Sequence, residues 1–401
     1  MIQNTMSLSK FTKLIYGYEF FNSFLVIYPL YAIMFQNNGM NDTQISLLLI
    51  FWSVSVLVFQ APVSFFCNRY FLYKSMVIYG QFLKALCFYV WIAWPNFWGY
   101  LLGFALWGIQ WSIYNTAFEA LVYEELKARN KQSLYVKICG RKHAANTIGY
   151  LLSGLGSFLI SLGYEMITYI SIATTILGSL LIVFIPPLPK IQDSNTINKW
   201  EYITESIQIF KKAPQIMLAI ILLTAIVGLI GIDEYFGLIG VQMGIPVKYV
   251  GLIFIATLLA QSLGSLSASK FEKISDQALY TGTILIGLVF SLICYFYNFF
   301  GLLIMTACFF GFAVLRVLLF TRLQHSTPSK DRALVLGVYS VFEQFTSIMS
   351  YIAMMIGAYL GGYKFGFLIL GGAIMALGCG YCLLNKFYPP RKPVQKTQSN
   401  F

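Results

Sequence analysis

Charge is what this sequence has least of. Only 10% of its 401 residues are Asp, Glu, Lys or Arg, and only two are His, whereas about a quarter of a soluble globular chain is charged. That scarcity excludes a domain held in water by its own polar surface. The signatures of catalysis are missing as well. There is no G-x-x-x-x-G-K-[ST] loop to cradle a triphosphate, no H-E-x-x-H pair to hold zinc and no G-x-S-x-G turn to present a serine. His143 and His325 fall in separate polar stretches, so no histidine-centred site is expected. The chain therefore reads as a non-enzyme with no cofactor and no bound metal.

Apolar residues are abundant, at 58% of the chain. They gather into twelve runs, near residues 11–35, 44–66, 75–93, 99–121, 144–163, 166–187, 214–238, 247–269, 278–297, 299–321, 334–360 and 364–388. Each is close to the roughly 20 residues that carry a helix across a bilayer. The alternation of a barrel strand is absent, and in lipid only helices or closed barrels satisfy their own backbone. The fold class expected is an all-α integral membrane protein of twelve transmembrane helices.

Lys and Arg near helix ends favour the cytoplasmic side. Placing both termini there puts 23 of the 27 cations on that face; Lys248 and Lys364 fall in outer loops, and Lys84 and Arg316 within spans. The net charge of +12 then reflects topology and contact with anionic lipid, and no nucleic-acid partner is expected. The first apolar run is too long for a signal peptide and no A-x-A-like site follows, so it counts as a span. The seven cysteines avoid every outer loop, and no disulfide is expected. Cys379 and Cys382 form a C-x-x-C inside the last span, where packing is the expected role. The location expected is the cell membrane, multi-pass, as a monomer.

The longest polar interruption, residues 186–214, divides the chain into six spans and six. The expected organisation is an N-terminal bundle over 1–187, a cytoplasmic linker over 188–213, a C-terminal bundle over 214–388 and a tail over 389–401. Within the linker, Trp200, Ile203, Ile207 and Phe210 recur at helical spacing; an interfacial helix and a disordered linker both remain open. Loop lengths repeat between the halves. The short basic turn "CNRYFLYK" after the second span is echoed by "SKFEKISDQ" after the eighth, and the longer "YEELKARNKQSLYVKICGRKH" after the fourth by "RLQHSTPSKDR" after the tenth. Two parallel six-helix repeats with a midplane substrate site are the layout this implies.

With that layout the sequence resembles the major facilitator superfamily of secondary transporters. In the turn after the second span, Arg69 matches the family motif and Asn68 stands where the family has Asp; Gly264 and Leu266 are kept in the second-half copy. The stretches beginning at Phe118, Asp233 ("DEYFGL") and Lys330 ("KDRALVLGVYS") are similar to a bacterial branch of the superfamily. The resemblance implies two pseudo-symmetric bundles, alternating access and a gating turn that would include Asn68, Arg69 and, after the tenth span, Arg332. The Gly-Pro exporter signature of the fifth span is missing, although Gly149, Gly154 and Gly156 are present.

Ionisable groups within spans are costly and are functional candidates. Glu19, about eight residues into the first span, is the candidate proton carrier, with a structural hydrogen bond as the alternative. Asp233 and Glu234 in the seventh span are its candidate helpers; being adjacent, they point about 100° apart, so at most one should face a cavity squarely. Arg316 and Glu343 lie at matching depth and are expected to pair, for structure or for switching. Lys84 is expected to snorkel, and Glu119 to sit at the interface beside Glu124 and Glu125. Gln60, Gln110, Asn115, Gln261 and Gln344 could orient substrate or bond between helices. Aromatics such as Tyr16, Tyr18, Phe20, Trp107, Trp111, Tyr114, Tyr235 and Phe236 could line a cavity or face lipid. Ser350, Ala353, Gly357 and Gly361 form a small-residue stripe for close packing. The function expected is proton-coupled transport of a small amphiphilic compound, with efflux favoured. Nutrient uptake, or a transport-silent receptor or assembly factor on the same fold, stand as alternatives.

Overall fold

A computed structural model of the chain describes residues 6–187, 214–328 and 331–387. The linker and tail expectations, including the helix around Trp200, lie outside the described residues. Among the described residues every regular element is helical. They are α1 (Leu8–Ser23), α2 (Tyr31–Asn37), α3 (Asp42–Arg69), α4 (Tyr73–Ala93), α5 (Phe97–Ile113), α6 (Glu119–Ala128), α7 (Tyr135–Gly154), α8 (Tyr164–Val183), α9 (Pro214–Ile230), α10 (Phe236–Gln242), α11 (Val250–Ser267), α12 (Asp276–Ser291), α13 (Phe299–Ser326), α14 (Arg332–Gly361) and α15 (Tyr363–Phe387).

Ten described helices are long and apolar enough to cross a membrane. The other two expected spans are interrupted helices: the first breaks between α1 and α2, and the fourth carries a π-turn over Tyr114–Phe118 between α5 and α6. Polar residues at the punctuation points set where helices begin. Asn41 and Gln44 form a reciprocal capping box at α3, and the side chains of Ser7, Asn96, Ser275 and Asn298 cap α1, α5, α12 and α13. Each supplies an acceptor to first-turn N–H groups that have no helical partner.

The chain divides into two compact units. The first comprises Met1–Ser194 with Asp233–Ala256, the second Asn195–Ile232 with Thr257–Phe401. In the first unit α1 packs on α7 and α8, and α4 packs on α5 and α8. In the second, α9 packs on α14 and α15, and α12 on α13 and α15. Those are corresponding spans of the two halves, so the repeat seen in loop lengths recurs as a repeat of helix pairing. The stripe on α14 marks its seam with α15: Ser350 and Ala353 are buried, and a Cβ on Gly357 would collide with the backbone of Gly366.

Three local departures from the expected helices matter for the site. The basic stretch after the fourth span is largely helical: α6 runs to Ala128 and α7 starts at Tyr135, so Lys137, Arg141 and Lys142 belong to a helix. The seventh span passes through a 3-10 turn, Gly231–Tyr235, that carries both acidic residues. Lys84 does not snorkel; it is 2% exposed, because its ammonium finds acceptors on α1 instead of water.

Candidate functional site

One face of α1 buries Phe11, Ile15, Tyr18, Glu19, Asn22 and Ser23, the spacing of a helix whose interior side turns from apolar to polar along its length. Glu19 is 1% exposed. Its Oε1 accepts a hydrogen bond from Tyr114 Oη at 2.7 Å and faces Lys142 Nζ at 3.6 Å, while Oε2 accepts from Asn146 Nδ2 at 3.3 Å. Asn146 also donates to Ser23 Oγ. Lys142 pairs in addition with Oε1 of Glu119, whose Oε2 accepts from Tyr135 Oη at 3.2 Å. One ammonium thus serves two carboxylates, on α1 and α6, from a position on α7.

Aromatic rings wall this cluster. Tyr114 stacks on Phe118 at 5.4 Å between centroids, Phe118 meets Tyr18 at 4.4 Å, and Lys142 Nζ lies 5.2 Å over the Phe118 ring. The π-turn holds Tyr114 and Phe118 at its two ends; such an extra-residue turn resets the azimuth of the next helical segment and recurs at functional sites. A buried ion pair is held by geometry more than by net stability, and loss of one partner strands the other charge. A proton arriving on Glu19 would release Lys142 toward Glu119 without leaving the ammonium unpaired.

A second polar cluster lies one turn along α1. Gln81 Nε2 donates to Tyr18 Oη at 2.7 Å and to Asn22 Oδ1 at 2.8 Å. Lys84 Nζ donates to Asn22 O at 2.7 Å and Asn22 Oδ1 at 3.0 Å, and lies 5.8 Å over the Trp107 ring.

The third cluster brings Asp233 and Glu234 to α2. Tyr28 Oη lies 2.9 Å from Glu234 Oε1 and 3.3 Å from Asp233 Oδ2, so its one proton is shared between them; Tyr31 Oη donates to Glu234 Oε2. Both acids therefore reach one tyrosine, although neighbours in a 3-10 turn point about 120° apart: the two carboxylates converge on Tyr28 Oη through their side chains. Trp107, Tyr150 and Phe254 surround Tyr28 with ring centroids at 6.5, 5.6 and 5.3 Å. No Lys or Arg among the described residues lies within 4.0 Å of either carboxylate.

The remaining candidates do not join these clusters. Gln110 is buried, with no hydrogen-bond partner for its Oε1; Asn115 is exposed and Gln261 half-buried. Arg316 is exposed and Glu343 half-buried, each within electrostatic reach of Tyr339 and of the other, but no ion pair within 4.0 Å forms between them. The expected close pair is absent: the exposed Arg316 acts on Glu343 only at longer range. Arg69 is exposed between the rings of Phe65 and Tyr70, each at 5.8 Å, and Arg332 is exposed at the start of α14. Asn68 sits in the last turn of α3, and its side chain lies outside what the structure describes. Glu119, expected at the interface, keeps a partly exposed side chain and is also a partner of Lys142. Lys142, Asn146, Asn22 and Gln81 escaped the sequence reading. Lys142 and Asn146 are four residues apart, and they stand on one helical face once α7 is seen to start at Tyr135.

The Major Facilitator Superfamily model matches residues 14–351. The chain belongs to that superfamily. It is accordingly a multi-pass membrane transporter in class and not an enzyme. No curated protein matches it by sequence. Among solved structures, the chain is similar to the nucleoside transporter NupG at 14% identity and a TM-score of 0.75, over 95% of this chain and 100% of that one. It is similar to a D-xylose-proton symporter at 12% identity and 0.68, covering 96% and 98%, and to an auto-inhibited POT family peptide transporter at 10% and 0.72, covering 96% and 98%. At such identities the likeness is one of fold. This member of the superfamily has the twelve-helix fold and a charged cluster at Glu19, Lys142 and Glu119.

Proposed function

We propose that this superfamily member is a proton-coupled secondary transporter with both termini cytoplasmic, and that it moves a small amphiphilic compound, outward in the favoured direction. The carrying observation is the Glu19 carboxylate, 1% exposed and shared among Lys142, Tyr114 and Asn146. A carboxylate so enclosed binds and releases a proton only when its partners rearrange, and that is the coupling a carrier requires. Asp233 and Glu234, with Tyr28 and Tyr31, form the helper site. The rings around Tyr28 and Phe118 suit a compound with an apolar body. With no nucleotide-binding motif in the sequence, the driving force is an ion or substrate gradient.

Uptake of a polar metabolite is the second reading. It is favoured by the names of the fold neighbours, a nucleoside transporter, a D-xylose-proton symporter and peptide transporters, and by the hydrogen-bonding character of the Glu19 cluster. The deciding experiment energises membrane vesicles of both orientations with a pH gradient and presents lipophilic amines, nucleosides, sugars and peptides. Loss of an amphiphile from the cytoplasmic side, abolished by an uncoupler, supports the proposal. Accumulation of a polar solute on that side replaces it with uptake.

A further inference from the structure

The first span is not a helix between Ser23 and Tyr31, yet this stretch is buried: Leu25, Val26, Ile27 and Leu30 are each 3% exposed or less. Buried backbone groups without partners are costly, and irregular backbone at membrane depth persists only where neighbouring side chains satisfy it. Four side chains from three other helices do so. Lys84 on α4 donates to Asn22 O at 2.7 Å, and Thr174 on α8 to Phe24 O at 2.9 Å. Ser153 on α7 donates to Ser23 O at 3.0 Å and accepts from Leu25 N at 2.8 Å, and Ser171 on α8 accepts from Ile27 N at 2.9 Å.

These partners are not equivalent. Ser153, Ser171 and Thr174 also reach carbonyls of their own helices, at Gly149, Ile167 and Ser171, so each hydroxyl would stay satisfied if the break closed. Lys84 reaches no carbonyl of its own helix. Among the described residues its ammonium hydrogen-bonds only to Asn22, at the backbone O and at Oδ1, and no carboxylate lies within 4.0 Å of it. In an unbroken helix the Asn22 carbonyl would be taken by the N–H of Val26, and the buried cation would lose its shortest bond. The break also decides which residues face inward. At about 100° per residue, an unbroken helix would put Tyr28, nine positions on, opposite Glu19. In the structure both are buried, at 9% and 1% exposure.

We propose that Lys84 is the positioning residue of both carboxylate sites. By claiming the Asn22 carbonyl it holds the first span open, which turns Glu19 toward Lys142 before the break and Tyr28 and Tyr31 toward Glu234 after it. Lys84 itself touches neither carboxylate. The inference rests on the reading of Glu19 and Glu234 as the working acids.

The test needs no substrate. Hydrogen exchange over residues 24–31, and labelling of Glu19 and Glu234 by an apolar carbodiimide, are followed in the full-length protein in wild type, Lys84→Met, Lys84→Gln and Lys84→Arg; the Gln variant serves if Met does not fold. The inference expects exchange in that segment to change by at least about tenfold in the uncharged variants, labelling to change at both acids, and Arg to restore both readouts toward wild type. Unchanged exchange, or changed exchange with unchanged labelling, would overturn it. Glu19→Gln leaves exchange over 24–31 as in wild type, so a failure of proton coupling and a failure of this inference are told apart.

Discussion

Lys142 answers two carboxylates at once, and Glu19 has no water to fall back on. Removing the cation therefore strands a buried anion at a cost of about 3 kcal/mol or more. Removing both members should recover much of that loss. Lys142→Met is expected to lower the melting temperature of the detergent-purified protein, and Lys142→Met with Glu19→Gln to melt above Lys142→Met alone. If the double variant melts no higher, the pair is not coupled. At this scale the sequence pointed to one partner and hid the other. Glu19 stood out as a charge inside an apolar run. Lys142 stood in the polar stretch after the fourth span, and a basic loop and the first turns of a helix have the same composition. The Lys84 expectation failed for a related reason, since the acceptor it finds is a backbone carbonyl that no sequence pattern marks.

Among the elements, α7 brings Lys142 and Asn146 to Glu19 because it lies close against α1. A Cβ on Gly149 would stand 2.6 Å from the Phe20 carbonyl oxygen, whereas one on Gly140, in the same helix, would meet nothing within 4 Å. Gly149→Ala is expected to destabilise by roughly 1–3 kcal/mol through forced separation of the helices. Gly140→Ala should be neutral or gain up to about 1 kcal/mol from helix propensity. Thermal melts of both variants check the contrast, and equal shifts would place the close approach elsewhere. Length and hydropathy were enough to find twelve spans. The break at 24–30 and the π-turn at 114–118 were not legible, because both are imposed by tertiary partners: four side chains on three other helices at the break, and at the π-turn the ring and carboxylate contacts of Tyr114 and Phe118.

For the whole molecule, the bias of Lys and Arg to alternate connections predicts orientation. A single cysteine at Lys248 should be labelled by a membrane-impermeant maleimide in intact cells, and one at Lys270 only after permeabilisation; the reverse pattern would invert the topology. The superfamily fold was legible from loop lengths and span count, helped by a worn motif around Arg69. Substrate was not, because the rings and amides that would recognise one are the residue types that also pack helices and face lipid.

The central claim is that proton movement runs through Glu19. Purified protein in liposomes containing a pH-sensitive dye, presented with the panel of amines, nucleosides, sugars and peptides, tests it in wild type and Glu19→Gln. Substrate-dependent proton flux in the wild type, lost in a folded Glu19→Gln variant, is the result predicted. Flux that survives the substitution would contradict the role of Glu19, and silence of the folded wild type across the panel would contradict proton-coupled transport itself.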